Sequence, residues 1–288
     1  MVSPDKCPKY YSASRQDLLN LVPPEAASVL DIGCGTGNLG HALRETRGCR
    51  VTGVEIVPEI AAQACRKLDR VVTGSAEVAL HELDGEVFDL LILGDSLEHL
   101  ADPARFLAEV RRLMAPAAWF LISIPNVAHW SVVRMLAQGH WLYDRGGIMD
   151  DTHLRWFTLR SAADLLSSVG FQIERIEAEM SGGPGMPRRF VRACRALNMD
   201  MQGMEIASQC YQYRLLGRVL DGDACAVNRY EDLIKQIETP ARTAYRRYEF
   251  ANGRLKWLWR NYAPAPWVAI GTWLRGQMRA FGVMRQGS

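Results

Sequence analysis

The sequence predicts an α/β fold built on a doubly wound parallel sheet. Three observations lead there. The run Val29-Leu30-Asp31-Ile32-Gly33-Cys34-Gly35-Thr36-Gly37-Asn38-Leu39-Gly40 joins an apolar stretch to a glycine ladder and the start of a helix. That order reads as a buried strand, a tight turn and a helix N-terminus, the glycines letting backbone N–H groups come close to a ligand. Strand and helix signals then alternate along the chain. Finally, 288 residues, 48% of them hydrophobic, can bury one large core with an appendage or two modest domains.

Taken in order, parallel strands are expected near Ser28–Ile32, Val51–Glu55, Arg70–Thr73, Val87–Leu93 and Ala118–Ile124. A helix is expected from Pro103 to Met114, with Asp102 as N-cap and Pro103 at the first helical position. Its Phe106, Leu107, Val110, Leu113 and Met114 share one apolar face. A second helix follows Thr158, buries Ala162, Leu165, Leu166 and Val169, and stops at Gly170. A strand from Phe171 to about Glu179, a flexible turn at Ser181–Gly185 and a helical Arg188–Ala207 complete this part.

The second strand, Val51-Thr52-Gly53-Val54-Glu55, ends in a carboxylate. In nucleotide-binding α/β folds an acid at that point accepts hydrogen bonds from ribose hydroxyls, so an adenosine-containing cofactor is expected. Gly35-Thr36-Gly37-Asn38-Leu39-Gly40 also fits GxGxxG, a weak pattern by itself. Two details argue against a nicotinamide cofactor. Asp31 precedes the first glycine, where a pyrophosphate favours no negative neighbour. Glu55 also follows the last glycine by fewer than the usual twenty or so residues. A zwitterion carrying a sulfonium and an ammonium suits the acidic rim better.

Asp31-Ile32-Gly33-Cys34-Gly35-Thr36-Gly37 resembles the motif of the class I S-adenosylmethionine-dependent methyltransferases. Phe88-Asp89-Leu90-Leu91-Ile92-Leu93-Gly94-Asp95-Ser96-Leu97-Glu98-His99-Leu100 is similar to their fourth-strand motif. Ile122-Ser123-Ile124-Pro125-Asn126-Val127-Ala128-His129-Trp130 is similar to the loop after their fifth strand. The resemblance runs from about Tyr10 to near Val219. It looks strongest to a subgroup associated with bacterial glycan and natural-product pathways, with ubiquinone-pathway O-methyltransferases and MetW proteins as more distant cousins. It implies a Rossmann-like seven-stranded sheet whose last strand, placed at Tyr211–Val219, is antiparallel. The implied division is a methyltransferase domain over 1–220, with insertions at about 126–158 and 184–208, and a helical extension over 221–288.

S-adenosylmethionine is the implied cofactor, held by Asp31, Gly33, Gly35, Gly37 and Glu55. Gly94, Asp95 and Ser96 should flank its methionine part. Ser75 stands where many members place an aspartate near adenine. Tyr11 and Arg15 belong to a Tyr10-Tyr11-x-x-x-Arg15 cluster that either covers the cofactor, Arg15 pairing with its carboxylate, or packs as a surface helix.

For catalysis a hydroxyl acceptor benefits from a general base. His153, in Asp150-Asp151-Thr152-His153-Leu154-Arg155-Trp156-Phe157, is the favoured base or substrate ligand, with Asp151 orienting it; the alternative is a pair that locks the roof loop. His129 is the reserve, and His99 reads as structural or cofactor-side. Asn126, Trp130, Trp141, Tyr143, Arg155 and Trp156 are the expected substrate-side residues, although the aromatics could equally be core beneath the loop. Glu98, His99, Asp150, Asp151 and His153 are all metal-ligand types, but their spacing makes no metal the default. None is assigned.

Seven cysteines without a CxxC pair suggest reduced thiols and neither a disulfide framework nor a zinc site. The start lacks the apolar core of a signal peptide, and no apolar run reaches the twenty or so residues needed to span a bilayer. A cytoplasmic protein is expected.

From Ser181 onward there are 17 Lys/Arg against 8 Asp/Glu, whereas the preceding residues carry 17 against 24. Nine basic residues and four tryptophans fall within 240–288, with the single acid Glu249. That segment suits either a peripheral contact with the inner face of an anionic membrane or a helical cap on the catalytic domain or a second subunit, as in a homodimer. Nucleic acid ranks lower, because the Asn/Asp-Pro-Pro-aromatic motif of base-amino methyltransferases is missing. The expected reaction is O-methylation of a small molecule or glycan in a bacterial biosynthetic pathway. The alternatives are N-methylation, a membrane-associated lipid or quinone acceptor, and a non-catalytic cofactor-binding partner.

Overall fold

The computed structural model describes residues 11–181, 185–201, 203–221, 225–243, 247 and 251. Most of the basic, Trp-rich stretch, including residues 252–288, therefore lies outside the described residues. So do Tyr10, Cys7 and the centre of the glycine-rich turn at 182–184.

Seven strands form one sheet: β1 (Ser28–Ile32), β2 (Arg50–Glu55), β3 (Arg70–Thr73), β4 (Phe88–Gly94), β5 (Met114–Pro125), β6 (Phe171–Met180) and β7 (Cys210–Val219). Their order is β3-β2-β1-β4-β5-β7-β6. The first five strands are parallel, and β7 runs antiparallel to both β5 and β6. The expected seven-stranded sheet with an antiparallel last strand is what forms.

Period-two alternation gives the sheet its two apolar faces. Leu30, Ile32, Leu91, Leu93, Phe120 and Ile122 pack into one core cluster. Val29, Leu90, Ile92 and Leu121 pack into the other. The helices are α1 (Gln16–Leu19), α2 (Asn38–Arg47), α3 (Pro58–Ala64), α4 (Ala76–Glu82), α5 (Pro103–Val110), α6 (Trp130–Ala137), α7 (Leu159–Ser168), α8 (Arg188–Ala196) and α9 (Met204–Ala207), of which α6 and α8 pack in smaller clusters of their own.

Two expectations from periodicity change. The helix starting at Pro103 ends at Val110, tightens into a 3₁₀ turn over Arg111–Leu113, and Met114 already begins β5. Met114 pairs with Phe88 ahead of an irregularity in the β4–β5 register, so sheet pairing overrides the helical spacing at that point. The helical stretch expected over Arg188–Ala207 is two helices. Asn198, with φ 58°, adopts the left-handed conformation that ends α8, and α9 restarts after Gly203.

Residues 230–243 form a further helix, α10, which buries Leu233, Ile234 and Ile237 in the main core. It lies along the outer strand β6. Asn228 Oδ1 accepts from the Ile173 N–H at 2.7 Å, its Nδ2 donates to the Phe171 carbonyl at 2.8 Å, and Gln236 Oε1 accepts from the Ile176 N–H at 3.0 Å. Side-chain amides thus take the place of a neighbouring strand. The expected division at 220/221 falls just before this packed helix. Among the described residues no helix is long and apolar enough to cross a membrane.

Gly217 sits where β7 passes closest to its neighbours. A Cβ there would lie 2.0 Å from the Gln172 carbonyl oxygen and 2.7 Å from the Phe120 ring. Gly217→Ala is expected to destabilise the fold by about 3 kcal/mol, because the nearest obstacle is backbone and cannot rotate away. Thermal or urea unfolding followed by circular dichroism reads that loss.

Candidate active site

Strand order reverses between β1 and β4, so their carboxyl ends diverge and leave a crevice. A cavity of about 440 Å³ opens there. It is lined by the ends of β1, β2 and β4 and by the turn after β3.

The glycine turn is shaped by three left-handed positions, Gly33 (φ 75°), Gly35 (φ 54°) and Gly37 (φ 75°). Its backbone is fastened to β2. The Gly33 and Cys34 N–H groups donate to the Val54 carbonyl at 2.8 and 3.0 Å. Glu55 Oε2 accepts from the Gly35 N–H at 3.0 Å while Oε1 accepts from the Val57 N–H at 2.9 Å. The N-terminal segment lies on the same turn, with the Tyr11 carbonyl accepting from the Thr36 N–H at 3.0 Å and the Thr36 hydroxyl at 3.1 Å. A Cβ on Gly35 would reach within 2.7 Å of that carbonyl, so only glycine leaves room.

Two carboxylates, Asp31 and Glu55, are buried at the cavity floor. Burial, opposed by Arg15 and reinforced by Glu55, pushes Asp31 up to about 7. Burial also raises Glu55, against the pull of the Val57 and Gly35 N–H groups. A dry floor with two acids short of positive charge fits S-adenosylmethionine, whose sulfonium and ammonium supply that charge. Glu55 has spare lone pairs for ribose hydroxyls.

The remaining expected cofactor residues also reach the cavity. Tyr11, Arg15, Gly33, Gly35, Ser75, Gly94, Asp95 and Ser96 line it, while Gly37 serves as the left-handed N-cap of α2. Ser75 is in addition the N-cap of α4, accepting from the Val78 N–H. Asp95, itself left-handed at φ 60°, accepts from Arg15 Nη1 at 2.9 Å and from the Ser123 hydroxyl at 2.6 Å, and also takes Gln212 Nε2. Arg15 is thereby gripped by Asp95 and, through Nε, by Asp17 at 3.2 Å. Ser96 donates to the Ile32 carbonyl at 2.9 Å and pins the end of β4 to β1.

The catalytic and substrate-side candidates are distributed differently. The cavity wall carries His99 and Thr152, whereas His153 is buried behind it, its ring 4.9 Å from that of His99. His153 Nδ1 is held by the Ile148 carbonyl at 3.2 Å, and Asp151 is exposed. The roof loop is clasped from below, the Leu154 and Arg155 N–H groups donating to the Glu98 carbonyl at 2.9 and 3.0 Å. The Glu98 carboxyl is 1% exposed and held far above the usual range, by burial first and then by Asp95.

His129 caps α6, taking the Ser131 N–H on Nδ1 and facing the Ser181 hydroxyl with Nε2 at 2.8 Å. Burial lowers its pKa and so favours the neutral ring. Asn126 is buried with its amide bound to the Ala207 and Cys210 carbonyls and the Ala128 N–H, which makes it a brace for the loop. Trp130 stacks edge-on with Phe190, and Trp141 and Tyr143 pack on Trp156 while remaining exposed. Arg155 donates to the Ala101 carbonyl at 2.5 Å.

Sequence reasoning passed over Ile56, Glu77 and Thr152, which also line the cavity. Glu77 had a legible signal, an acid two residues past Ser75 in the turn after β3.

The chain matches the family described as Methyltransferase domain over residues 7–176, more than half its length. A ubiquinone biosynthesis O-methyltransferase of Paracidovorax citrulli is 30% identical over 193 residues, 61% of this chain and 79% of that protein. One from Pseudomonas aeruginosa strain UCBPP-PA14 is 34% identical over 106 residues, 34% of this chain and only 44% of that protein. A solved S-adenosylmethionine-dependent methyltransferase structure from Archaeoglobus fulgidus shows 20% identity and a TM-score of 0.47, covering 68% of this chain and 87% of the other.

Asp31 gives the site a pH signature. Its folded value of about 7 stands above an unfolded 3.8, so the folded state binds the extra proton between those values. Stability of the ligand-free protein then falls as pH rises through that window and stays reduced above it. Asp31→Asn is expected to unfold at a higher temperature than the parent at pH 8, with the gap closing toward pH 4. Cofactor affinity runs the other way: the cationic ligand favours ionised Asp31, so calorimetric affinity should rise about tenfold from pH 6 to 8 and flatten in Asp31→Asn.

Proposed function

The chain belongs to the S-adenosylmethionine-dependent methyltransferase family, and from that premise we propose that it methylates an oxygen of a small-molecule or glycan acceptor held against His99 and Thr152. The observation that carries this reading is the composition of the cavity wall. Acids gather at the cofactor floor, while beyond Asp95 and Ser96 the wall turns to an imidazole and a threonine. The Paracidovorax relative is itself called an O-methyltransferase, which supports oxygen as the atom modified.

When bound, S-adenosylmethionine supplies an electrophilic methyl group on a sulfonium. The chain's own groups do the rest. Glu55 takes the ribose hydroxyls, Asp31 draws the cationic end, and the glycine turn gives backbone access. Ser75 and its neighbours border the adenine end, with Gly94, Asp95 and Ser96 along the methionine part. Tyr11 and Arg15 close the N-terminal side and exclude water. His99 would align an acceptor hydroxyl so that its oxygen could take the methyl group as the carbon–sulfur bond electrons return to sulfur. The hydroxyl proton would leave on the His99 side of the cavity wall. Alignment alone supplies much of the rate.

In this reading His99 occupies the wall position that the sequence suggested for His153, and His153 acts through it as a positioning residue. Trp141, Tyr143 and Trp156 pack on one another outside the cavity lining, with Trp141 and Tyr143 exposed.

Methyl-labelled cofactor offered with phenols, catechols, sugars and amines tests the proposal. Label is expected on oxygen. His99→Ala should cut transfer about 100-fold or more while cofactor affinity stays within about threefold. Label on nitrogen alone, or full transfer by His99→Ala, would overturn it.

A further inference from the structure

Behind the cavity wall, the ligand-type atoms of Glu98, His99 and His153 lie within 4.8 Å of one another. Glu98 and His99 sit on the 3₁₀ turn after β4, and His153 is brought to them by the roof loop. The cluster draws on two distant parts of the chain, so sequence spacing carries no sign of it.

The hydrogen bonds fix what each group can offer. His99 Nδ1 faces the Thr152 carbonyl at 3.0 Å, and His153 Nδ1 faces the Ile148 carbonyl at 3.2 Å. A carbonyl oxygen only accepts, so both Nδ1 atoms carry the proton and both Nε2 atoms carry the lone pair. His153 Nε2 stands 3.9 Å from Glu98 Oε1, too far for a hydrogen bond. Glu98 Oε2 is fully buried and receives no hydrogen bond. A buried carboxyl group with one unsatisfied oxygen therefore converges with two imidazoles whose Nδ1–H groups are anchored on backbone carbonyls, the donor set of a cation site. Imidazoles that give Nδ1–H to backbone carbonyls are also the usual outer-shell arrangement of metal-bound histidines.

We propose that Glu98, His99 and His153 bind one divalent first-row transition-metal ion of the zinc or cobalt type. Two imidazoles in a three-ligand set select such an ion over magnesium, which favours oxygen ligands. Around a common ion the ligand atoms would draw in to about 3.4 Å apart, a change within the reach of side-chain torsions. Three protein ligands leave a coordination position open, and His99 lies on the cavity wall, so that position faces the acceptor space. The consequence for chemistry rests on the methyl-transfer reading. An ion held there would lower the pKa of a bound acceptor hydroxyl and so supply a stronger nucleophile for the methyl group.

Metal binding is tested without any turnover. The full chain, stripped with chelator and confirmed folded by its thermal transition, is titrated with Co²⁺ while visible absorption is followed. One Co²⁺ per chain is expected, displaced by Zn²⁺ and unaffected by excess Mg²⁺. Glu98→Gln and His153→Ala should each weaken binding at least tenfold while still binding S-adenosylhomocysteine in calorimetry. If either variant fails to fold, the parent titration and the other variant decide. The proposal is overturned if the folded parent shows no saturable Co²⁺ band, if Mg²⁺ competes equally, or if the folded variants bind Co²⁺ as the parent does. A metal-free cluster would then serve only to lock the roof loop, and transfer to oxygen could still hold.

Discussion

The Glu55 carboxylate is the constraint on which the site depends. One oxygen takes the Gly35 N–H and the other the Val57 N–H, so a single side chain joins the glycine turn, the end of β2 and the start of α3. Charge-assisted bonds of this type are about twice as strong as neutral ones. They offset part of the burial effect that raises the pKa of this acid. With the turn fixed, Gly33 and Gly35 line the cavity, and the Tyr11 carbonyl finds the Thr36 donors that dock the N-terminal segment. Loss of this clamp would release the cofactor floor and its cover together.

The acceptor side is built on a different principle. Here the scaffold is backbone-directed. Asn126 ties the loop after β5 to the approach to β7, His129 caps α6, and the Glu98 carbonyl clasps the roof loop. Most of the polar residues that look chemical in the sequence are engaged in holding these loops. What remains turned to the cavity is a short wall at His99 and Thr152, backed by a buried carboxylate and a second imidazole. The cofactor half thus uses local turn geometry, and the acceptor half uses contacts between residues far apart in the chain.

That contrast explains how far the sequence could be read. The strand–glycine–helix unit, Glu55 at the end of β2 and the Asp102 cap of α5 are dictated by neighbours within a few residues, and all appear where expected. Met114 was assigned to a helix because its spacing fits one, but pairing with Phe88 draws it into β5. Within the break between α8 and α9, Asn198 is the left-handed stop and Gly203 the restart, a pair of signals that the apolar spacing of the stretch overrides. For His129, His153 and Asn126 the residue type was informative and the partner was not, since Ser181, Glu98 and Ala207 lie far away in the sequence. The side of the wall on which an imidazole stands is set by tertiary packing alone.

The amide-sealed margin of β6 also bears on how small a working piece of this protein can be. A chain ending at residue 220 would keep every strand of the sheet and every cavity-lining residue. It would lose Asn228, Gln236 and the apolar face of α10, baring the Ile173 and Ile176 N–H groups beside a hydrophobic stripe. An open margin of that kind recruits strands from other molecules and leads to aggregation. Residues 225–243 therefore cover a sheet edge that would otherwise stand open to strand pairing, a structural role separate from methyl transfer.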